Sequence, residues 1–360
     1  MTRHNHIRLL IISMLMMIAV LAGGCSSSPS PSAVPPATQA GGTGQDLTVH
    51  YIDVGQGDSI LAESDGHYML IDAGENDQAD TVVSYLKQAG VTTLDYVIGT
   101  HPHSDHIGGL DKVIEEFTVG KVILPPVEHT TRTFEDVLNA VSNKGLKITK
   151  PVPGDTYGLG NASFTIVAPV KDYGNDLNNW SVGIRLTYGS NSFLMCGDAE
   201  SQAESDMLDS GMTLKADVLK AGHHGSSTST SNTFLKAVSP SYVVIQCGKD
   251  NSYGHPHKET MEKLEKAGCR IFRTDEDGTI TASSDGTHIT WNVPGTQKDA
   301  GAQPSPAQQS TYILNTNTMK FHLPGCPSSE QIQDRNRKEY TGTRDGLISQ
   351  GYAPCKQCNP

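Results

Sequence analysis

Three histidines and an aspartate crowd the stretch Thr100-His101-Pro102-His103-Ser104-Asp105-His106, which follows the apolar run 94–99 without a break. Four ligand-type side chains on one loop at a strand's end constrain this chain more than any other feature, because its fold must turn that loop into a pocket. Loops held by a rigid scaffold are where function concentrates. Imidazole nitrogens suit zinc and other first-row metals while carboxylates suit harder ions, so the mixture points to divalent transition metals. Ligand types recur in the same kind of setting: Asp72 after 69–71, Asp198 after 193–197, His223 after 218–222 and His255 beyond 243–247. Converging strand ends assemble one pocket.

Residues 47–54 alternate as a strand, the turn Gly55-Gln56-Gly57-Asp58 follows, and 59–63 and 68–71 continue a β-meander. Helical spacing covers 79–89, closed by Gly90, and again 107–117, with the apolar strand 94–99 between them. The alternation runs on through strand 122–124, helix 134–143 and strand 163–167, then a hairpin of 182–188 and 192–195 about Gly189-Ser190-Asn191. Strands at 216–220, 242–246 and 270–273, helices starting at Ala199 and Lys258, and closing strands near Thr279 and His288 form a second half that mirrors the first. Helices covering two stacked sheets predict an α/β protein, an αββα sandwich over 46–293.

The N-terminal end is of another kind. Arg3 and Arg8 precede the apolar run 9–22, too short for a comfortable membrane span and right for the core of a signal peptide over 1–24. It ends in Leu21-Ala22-Gly23-Gly24-Cys25, which resembles a bacterial lipobox, although Ala22 holds the place where Leu is more usual. Cys25 is the expected lipidation site, with simple secretion as the alternative. Residues 25–45, rich in Ser, Pro, Ala, Gly and Thr and without charge, read as a flexible tether. Loss of 1–24, with two arginines and no acid, takes the net charge from -12 to -14, so the overall field gives a nucleic-acid partner no help.

A second linker at 294–310 sets off the last fifty residues, 311–360, as a unit of their own. His322, Cys326, Cys355 and Cys358 supply soft ligands as two close pairs, the pattern of a tetrahedral structural zinc, with a Cys355–Cys358 disulfide as the competing arrangement. Six Lys or Arg against four acids give this unit a net charge of +2, with Arg335, Arg337, Lys338 and Arg344 clustered, a modest nucleic-acid footprint or a solvated charged face. Cys196, Cys247 and Cys269 read as buried small apolar residues, and His50, His67, His129 and His288 as surface histidines.

The stretches "HPHSDH", "LIDAG", "FLMCGDAE" and "LKAGHHGS" are similar to the successive motifs of the metallo-β-lactamase superfamily, over residues 47–292. Within that superfamily "YIDVGQGDSIL", "THPHSDHIGGL", "LKAGHHGS" and "YGHPH" resemble the hydrolase domain of ComEC-like competence proteins, and "YILNTNTMKFHLPGC" with "GYAPCKQC" resembles an Ada-like zinc-binding module. The resemblance implies two divalent metal ions, zinc or manganese: His101, His103 and His223 on one, Asp105, His106 and His255 on the other, and Asp198 bridging. His224 can take the place of His223. Asp72 is expected behind the ligands, orienting a histidine. Asp105 and His224 are the expected catalytic residues, with Asn178, Ser181 and Ser226 contacting substrate. His129 is the only histidine between His106 and Asp198, so the usual third-motif ligand of the β-lactamase and glyoxalase branches is missing.

The resemblance implies an exported, lipid-anchored phosphodiesterase acting on DNA, partnered by the membrane and by a DNA-uptake channel protein. A phosphodiesterase for envelope polymers, bearing phosphocholine or built of teichoic acid, needs the same metal site. A non-catalytic DNA-capturing module is the third reading, and the intact ligand set speaks against it.

Overall fold

The computed structural model describes residues 46–296, 310–342, 347 and 350–358. The expected signal segment, Cys25, the tether, Arg344 and most of the second linker lie outside the described residues.

Six strands open the chain: β1 (Leu47–Tyr51), β2 (Ile60–Ser64), β3 (His67–Ile71), β4 (Thr93–Ile98), β5 (Thr118–Ile123) and β6 (Ile148–Thr149). Seven follow: β7 (Thr156–Leu159), β8 (Ala162–Ala168), β9 (Gly183–Tyr188), β10 (Asn191–Met195), β11 (Val218–Lys220), β12 (Tyr242–Ile245) and β13 (Arg270–Arg273). β14 (Ile280–Ser284) and β15 (Ile289–Trp291) return to the first group. The first sheet runs β15-β14-β1-β2-β3-β4-β5-β6 and the second β13-β12-β11-β10-β9-β8-β7.

Period-two patterning decides what faces inward. In β1, Leu47, Val49 and Tyr51 are buried while Thr48 and His50 are half-buried, and the inward set packs with Ile60, Met69, Phe164, Ile184, Phe193 and Phe272 from both sheets. The outer face of the first sheet is covered by α1 (Ala79–Gln88), α3 (Leu110–Glu116) and α4 (Arg132–Asn143), reached after the single turn α2 (Ser104–Ile107). α1 buries Ala79, Val82, Val83 and Leu86, spaced for one helix face. On the second sheet's outer face lie residues of α5 (Ser201–Asp209), α6 (Asn232–Val238) and α7 (Lys258–Lys266). Three apolar layers between four layers of structure make the αββα sandwich that the sequence predicts.

The expected helix over 107–117 begins earlier, at Ser104, and divides at Gly108. A Cβ at Gly108 would lie 2.3 Å from the Asn76 nitrogen, so only glycine lets the ligand loop pack this close to the preceding turn. The first sheet is parallel from β3 to β6 and the second from β10 to β13. Asp72 follows β3, the 100–106 loop follows β4, Asp198 follows β10, the 3-10 turn Gly222–Gly225 follows β11 and the 248–257 loop follows β12. Every ligand segment therefore leaves the carboxyl end of a parallel strand.

A separate four-stranded sheet, in the order β18-β16-β17-β19, forms the C-terminal unit from β16 (Ser310–Asn315), β17 (Lys320–His322), β18 (Arg337–Gly342) and β19 (Ala353–Pro354). Its core is small: Tyr312, Leu314, Phe321 and Leu347. So little apolar area rarely holds a unit of this size without a cross-link or a metal.

Candidate metal centre

A cleft of about 420 Å³ opens over these strand ends, lined by His103, Asp105, Asn178, Asp198, His223, His224, Tyr253 and His255 among others. On one side of its floor, His101 Nε2 and His103 Nδ1 stand 3.0 Å apart, and His101 Nε2 is 3.8 Å from Asp198 Oδ2. On the other side, His106 Nε2 lies 3.2 Å from Asp198 Oδ2 and 3.8 Å from Asp105 Oδ2. His224 Nε2 completes that group, 3.1 Å from Asp105 Oδ2 and 3.5 Å from Asp198 Oδ2. With bonds of roughly 2.0–2.2 Å, donor atoms around one tetrahedral ion stand about 3.3–3.6 Å apart, so this spacing fits a metal.

The ring orientations agree with that use. Asp72 Oδ2 faces His106 Nδ1 at 2.8 Å and accepts from the Thr100 hydroxyl at 2.7 Å, while its other oxygen accepts from the Thr100 N–H. His224 Nδ1 donates to the Gln246 carbonyl, which can only accept, at 3.1 Å. Both rings thus turn Nε2 lone pairs into the cleft. His106 Nε2 and Asp198 Oδ1 are buried without a hydrogen-bond partner, which a polar atom tolerates poorly unless an ion takes the place.

Electrostatics say the same. Burial disfavours charge on His106 and His224, yet the carboxylates around them, Asp198 foremost, hold both well above the ordinary imidazole value. His101 goes the other way, pushed well down by burial and by His106 beside it. The floor demands positive charge, which protons or divalent ions supply.

Asp58, from the Gly-rich turn after β1, brings an oxygen within 4.8 Å of ligand atoms of His106, Asp198 and His224. It stands behind the rings rather than in the cleft: Oδ1 is 3.3 Å from His224 Nδ1, and Oδ2 is 4.0 Å from His106 Nδ1 and in contact with the ammonium of Lys220. Lys220, at the end of β11, is 1% exposed. A buried lysine paired with a buried aspartate acts as a counter-charge beneath the ligands, so Asp105 is the better fourth donor.

The distances bring His224, the alternative ligand, to the floor, and leave His223 at the same range from Asp198 as His101. His223 Nε2 is 3.7 Å from Asp198, and its Nδ1 turns away to Thr228 Oγ1 and Glu200 at 3.1 and 3.3 Å, leaving the ring part-exposed at the cleft wall. His223 and His224 both adopt left-handed φ, +50° and +54°, as does Asp72 at +58°. Strain of this kind on non-glycine residues gathers at functional sites. His255 lines the cleft, its ring 5.5 Å from that of His223 and 6.1 Å from that of His224, and its Nδ1 is buried without a hydrogen-bond partner.

Two expected substrate contacts are corrected. Ser181 is fully buried behind the floor, its hydroxyl accepting from the Asp198 N–H and meeting His101 Nδ1. Ser226 is buried within its own turn, bonded to Thr228. Asn178 does line the cleft and donates to Glu200. His129, read as a surface residue, lies on the cleft wall with its ring 6.3 Å from that of His103, and His50 is half-buried against Tyr85. Sequence reasoning missed Asp58 and Lys220, although both sit inside motifs it had singled out.

In the C-terminal unit, His322, Cys326, Cys355 and Cys358 bring their ligand atoms within 4.8 Å of one another, and all three cysteines are free of disulfides. His322 Nδ1 and Cys326 Sγ are 3.6 Å apart. A three-cysteine, one-histidine set of this size suits a structural zinc.

Comparison with known proteins agrees with this geometry. The sequence profile of the Metallo-beta-lactamase superfamily matches residues 52–249. ComE operon protein 3 of Bacillus subtilis (strain 168) is 30% identical over 250 residues, covering 64% of this chain and 32% of that protein. The competence protein ComA of Neisseria gonorrhoeae is 30% identical over 230 residues, covering 63% and 31%. The chain spans about a third of the length of these curated relatives. Among solved structures, Igni18, a metallo hydrolase from Ignicoccus hospitalis KIN4/I, is 18% identical with a TM-score of 0.45, covering 65% of this chain and 98% of that one. With a matched profile across more than half its length and ComEC-type competence proteins among its relatives, the chain belongs to the metallo-β-lactamase superfamily.

Proposed function

We propose that this chain is a binuclear metal phosphodiesterase that cleaves DNA outside the cytoplasm, tethered through lipid on Cys25. The observation that carries the reading is the pair of donor sets meeting at Asp198: His101 and His103 on one side, Asp105, His106 and His224 on the other. These residues would hold two zinc or manganese ions, which would supply a hydroxide-strength nucleophile near neutral pH and neutralise phosphate charge. Asp72 and Thr100 fix the His106 ring, and the Gln246 carbonyl fixes His224. His223, part-exposed and steered by Glu200 and Thr228, is placed to give a proton to a leaving oxygen. Competence proteins among the relatives support DNA as the substrate and an exported, membrane-associated setting. A DNA-uptake channel protein is the partner this reading implies. The C-terminal unit, whose His322, Cys326, Cys355 and Cys358 would hold a zinc of its own, is a second contact for the nucleic acid through Arg335, Arg337 and Lys338.

The test is cleavage of linear single-stranded and duplex DNA by the purified protein with manganese or zinc, beside His103→Ala and Asp198→Ala. Metal-dependent cleavage lost in both variants is the expected result. No DNA cleavage, with turnover of a nitrophenyl-phosphocholine, moves the assignment to envelope polymers. Full DNA cleavage in both variants overturns the metal site.

A further inference from the structure

Tyr253 is 65% exposed, more than any other large hydrophobic side chain among the described residues, and it stands on the wall of the metal cleft. Its ring lies nearly parallel to that of His255, 18° between planes and 5.6 Å between centroids. His255 in turn stacks at 29° on His224, whose other edge faces Asp105 and Asp198. Three rings therefore step from solvent down to the metal ligands.

The loop that carries Tyr253 is held still. Asn251 Oδ1 accepts from the Tyr253 and His255 N–H groups at 3.1 and 3.0 Å, and its amide donates to the carbonyls of Gly248 and His255 at 2.9 and 2.6 Å. His257 Nε2 meets the Tyr253 carbonyl at 3.2 Å. Five contacts thus fix a loop whose tip places an aromatic face in water. Exposure contributes nothing to folding, and a fixed planar anchor binds with little loss of chain entropy.

Charge narrows the ligand. Among the described residues no lysine or arginine lines the cleft, whose charged residues are acids beside histidines, and the chain is acidic overall. A long duplex contact needs cations along the phosphate backbone. What this wall offers instead is a π face, which every nucleobase can meet once it leaves its own stack. In a duplex, neighbouring bases hide that face.

We propose that Tyr253 is the outer step of a stacking subsite that receives an unpaired base adjoining the scissile phosphate, which makes the enzyme selective for single strands. The proposal rests on the nuclease reading above. The subsite is short, one or two nucleotides, and sequence-tolerant, because stacking does not read base edges. Within the cleft, affinity comes from the ring and the metals rather than from phosphate contacts to basic side chains.

The experiment compares the full protein with Tyr253→Ala, Tyr253→Phe and Tyr253→Trp on two manganese-supported substrates. One is a single-stranded oligonucleotide with a single preferred cut, and the other carries abasic sites on both sides of that cut. On the intact strand Tyr253→Ala should raise KM by about 10- to 100-fold with a much smaller change in kcat, while Phe and Trp keep KM near the parent value. On the abasic strand the gap between parent and Tyr253→Ala should close. If Tyr253→Ala has the parent's KM on the intact strand, or if the gap persists on the abasic one, the subsite is refuted while the nuclease stands. If the parent cuts neither strand in any metal, the nuclease reading fails and this inference fails with it.

Discussion

Replacing Lys220 by methionine keeps the length and most of the volume of the side chain while removing its charge from a site that is 1% exposed. Asp58, 2% exposed, is then left as a carboxylate without its cation. Breaking a buried pair by removing one partner costs roughly 3–5 kcal/mol, mainly the desolvation of the stranded charge. His224 Nδ1 at 3.3 Å remains as a second partner, so the lower end, about 3 kcal/mol, is expected. Lys220→Met with Asp58→Asn removes both charges, and most of the loss should return. The assay is urea unfolding of metal-stripped protein followed by tryptophan fluorescence, since both tryptophans, Trp180 and Trp291, belong to the sandwich. Burial alone would raise the Asp58 carboxyl, but Lys220 and His224 hold it at about 2. In the parent this pair contributes stability above the carboxyl's unfolded value, which is lost as pH falls through about 2. In Lys220→Met the value climbs, so the deficit should narrow as the pH is lowered toward 4 and the carboxyl takes up its proton. A loss under about 1 kcal/mol, or a double variant as unstable as the single one, would refute the reasoning that Asp58 is a counter-charge rather than a ligand.

Three further outcomes follow from the same geometry. His224→Ala should lower the bound metal by about one equivalent and weaken the remainder, whereas His223→Ala should keep the metal content and lower kcat; elemental analysis after dialysis separates them, and the opposite pattern would make His223 the ligand. Cys326→Ser with Cys358→Ser should remove one zinc from the full chain in a colorimetric release assay, without changing the metal lost on Asp198→Ala; an unchanged zinc count would exclude the C-terminal site. Burial lowers His50 to about 4, so below pH 6.5 the unfolded chain takes up a proton that the folded one refuses, and stability falls by up to about 3 kcal/mol on the way to pH 4. His50→Gln should flatten that part of the stability curve, and an unchanged slope would show that His50 does not cause it.

The sandwich was legible because each sheet carries its period: the alternation in β1 and the apolar runs of β10 and β11 separate half-buried strands from fully buried ones. Short edge strands such as β6 and β7, in which only Leu159 is buried, carry no such signal, and α6 has only one turn and a half of apolar spacing behind its Ser231 cap. Within the site, the loop 100–106 announces itself by residue type. Directions do not: nothing in Gly222-His223-His224-Gly225 tells which imidazole enters the floor, because two successive left-handed residues break the alternation that a strand would impose. Ser181 reads as a loop serine, yet its neighbour Val182 takes the Thr100 carbonyl and draws the hydroxyl beneath His101. Asp58 and Lys220 meet across 162 residues of chain, and only folding pairs them.

The Gly-rich turn after β1 also touches the ligand loop. A Cβ at Gly57, φ +142°, would lie 2.4 Å from the Asp105 carbonyl oxygen, and the Asp58 N–H donates to that same oxygen at 3.1 Å. The turn works as a spacer gauge of one hydrogen atom's width, setting how far the Asp105 backbone can retreat from the cleft. Alanine at position 57, far from substrate in the sequence and bearing no reactive group, would push Asp105 out of line with His224 and spoil the donor set by displacement alone.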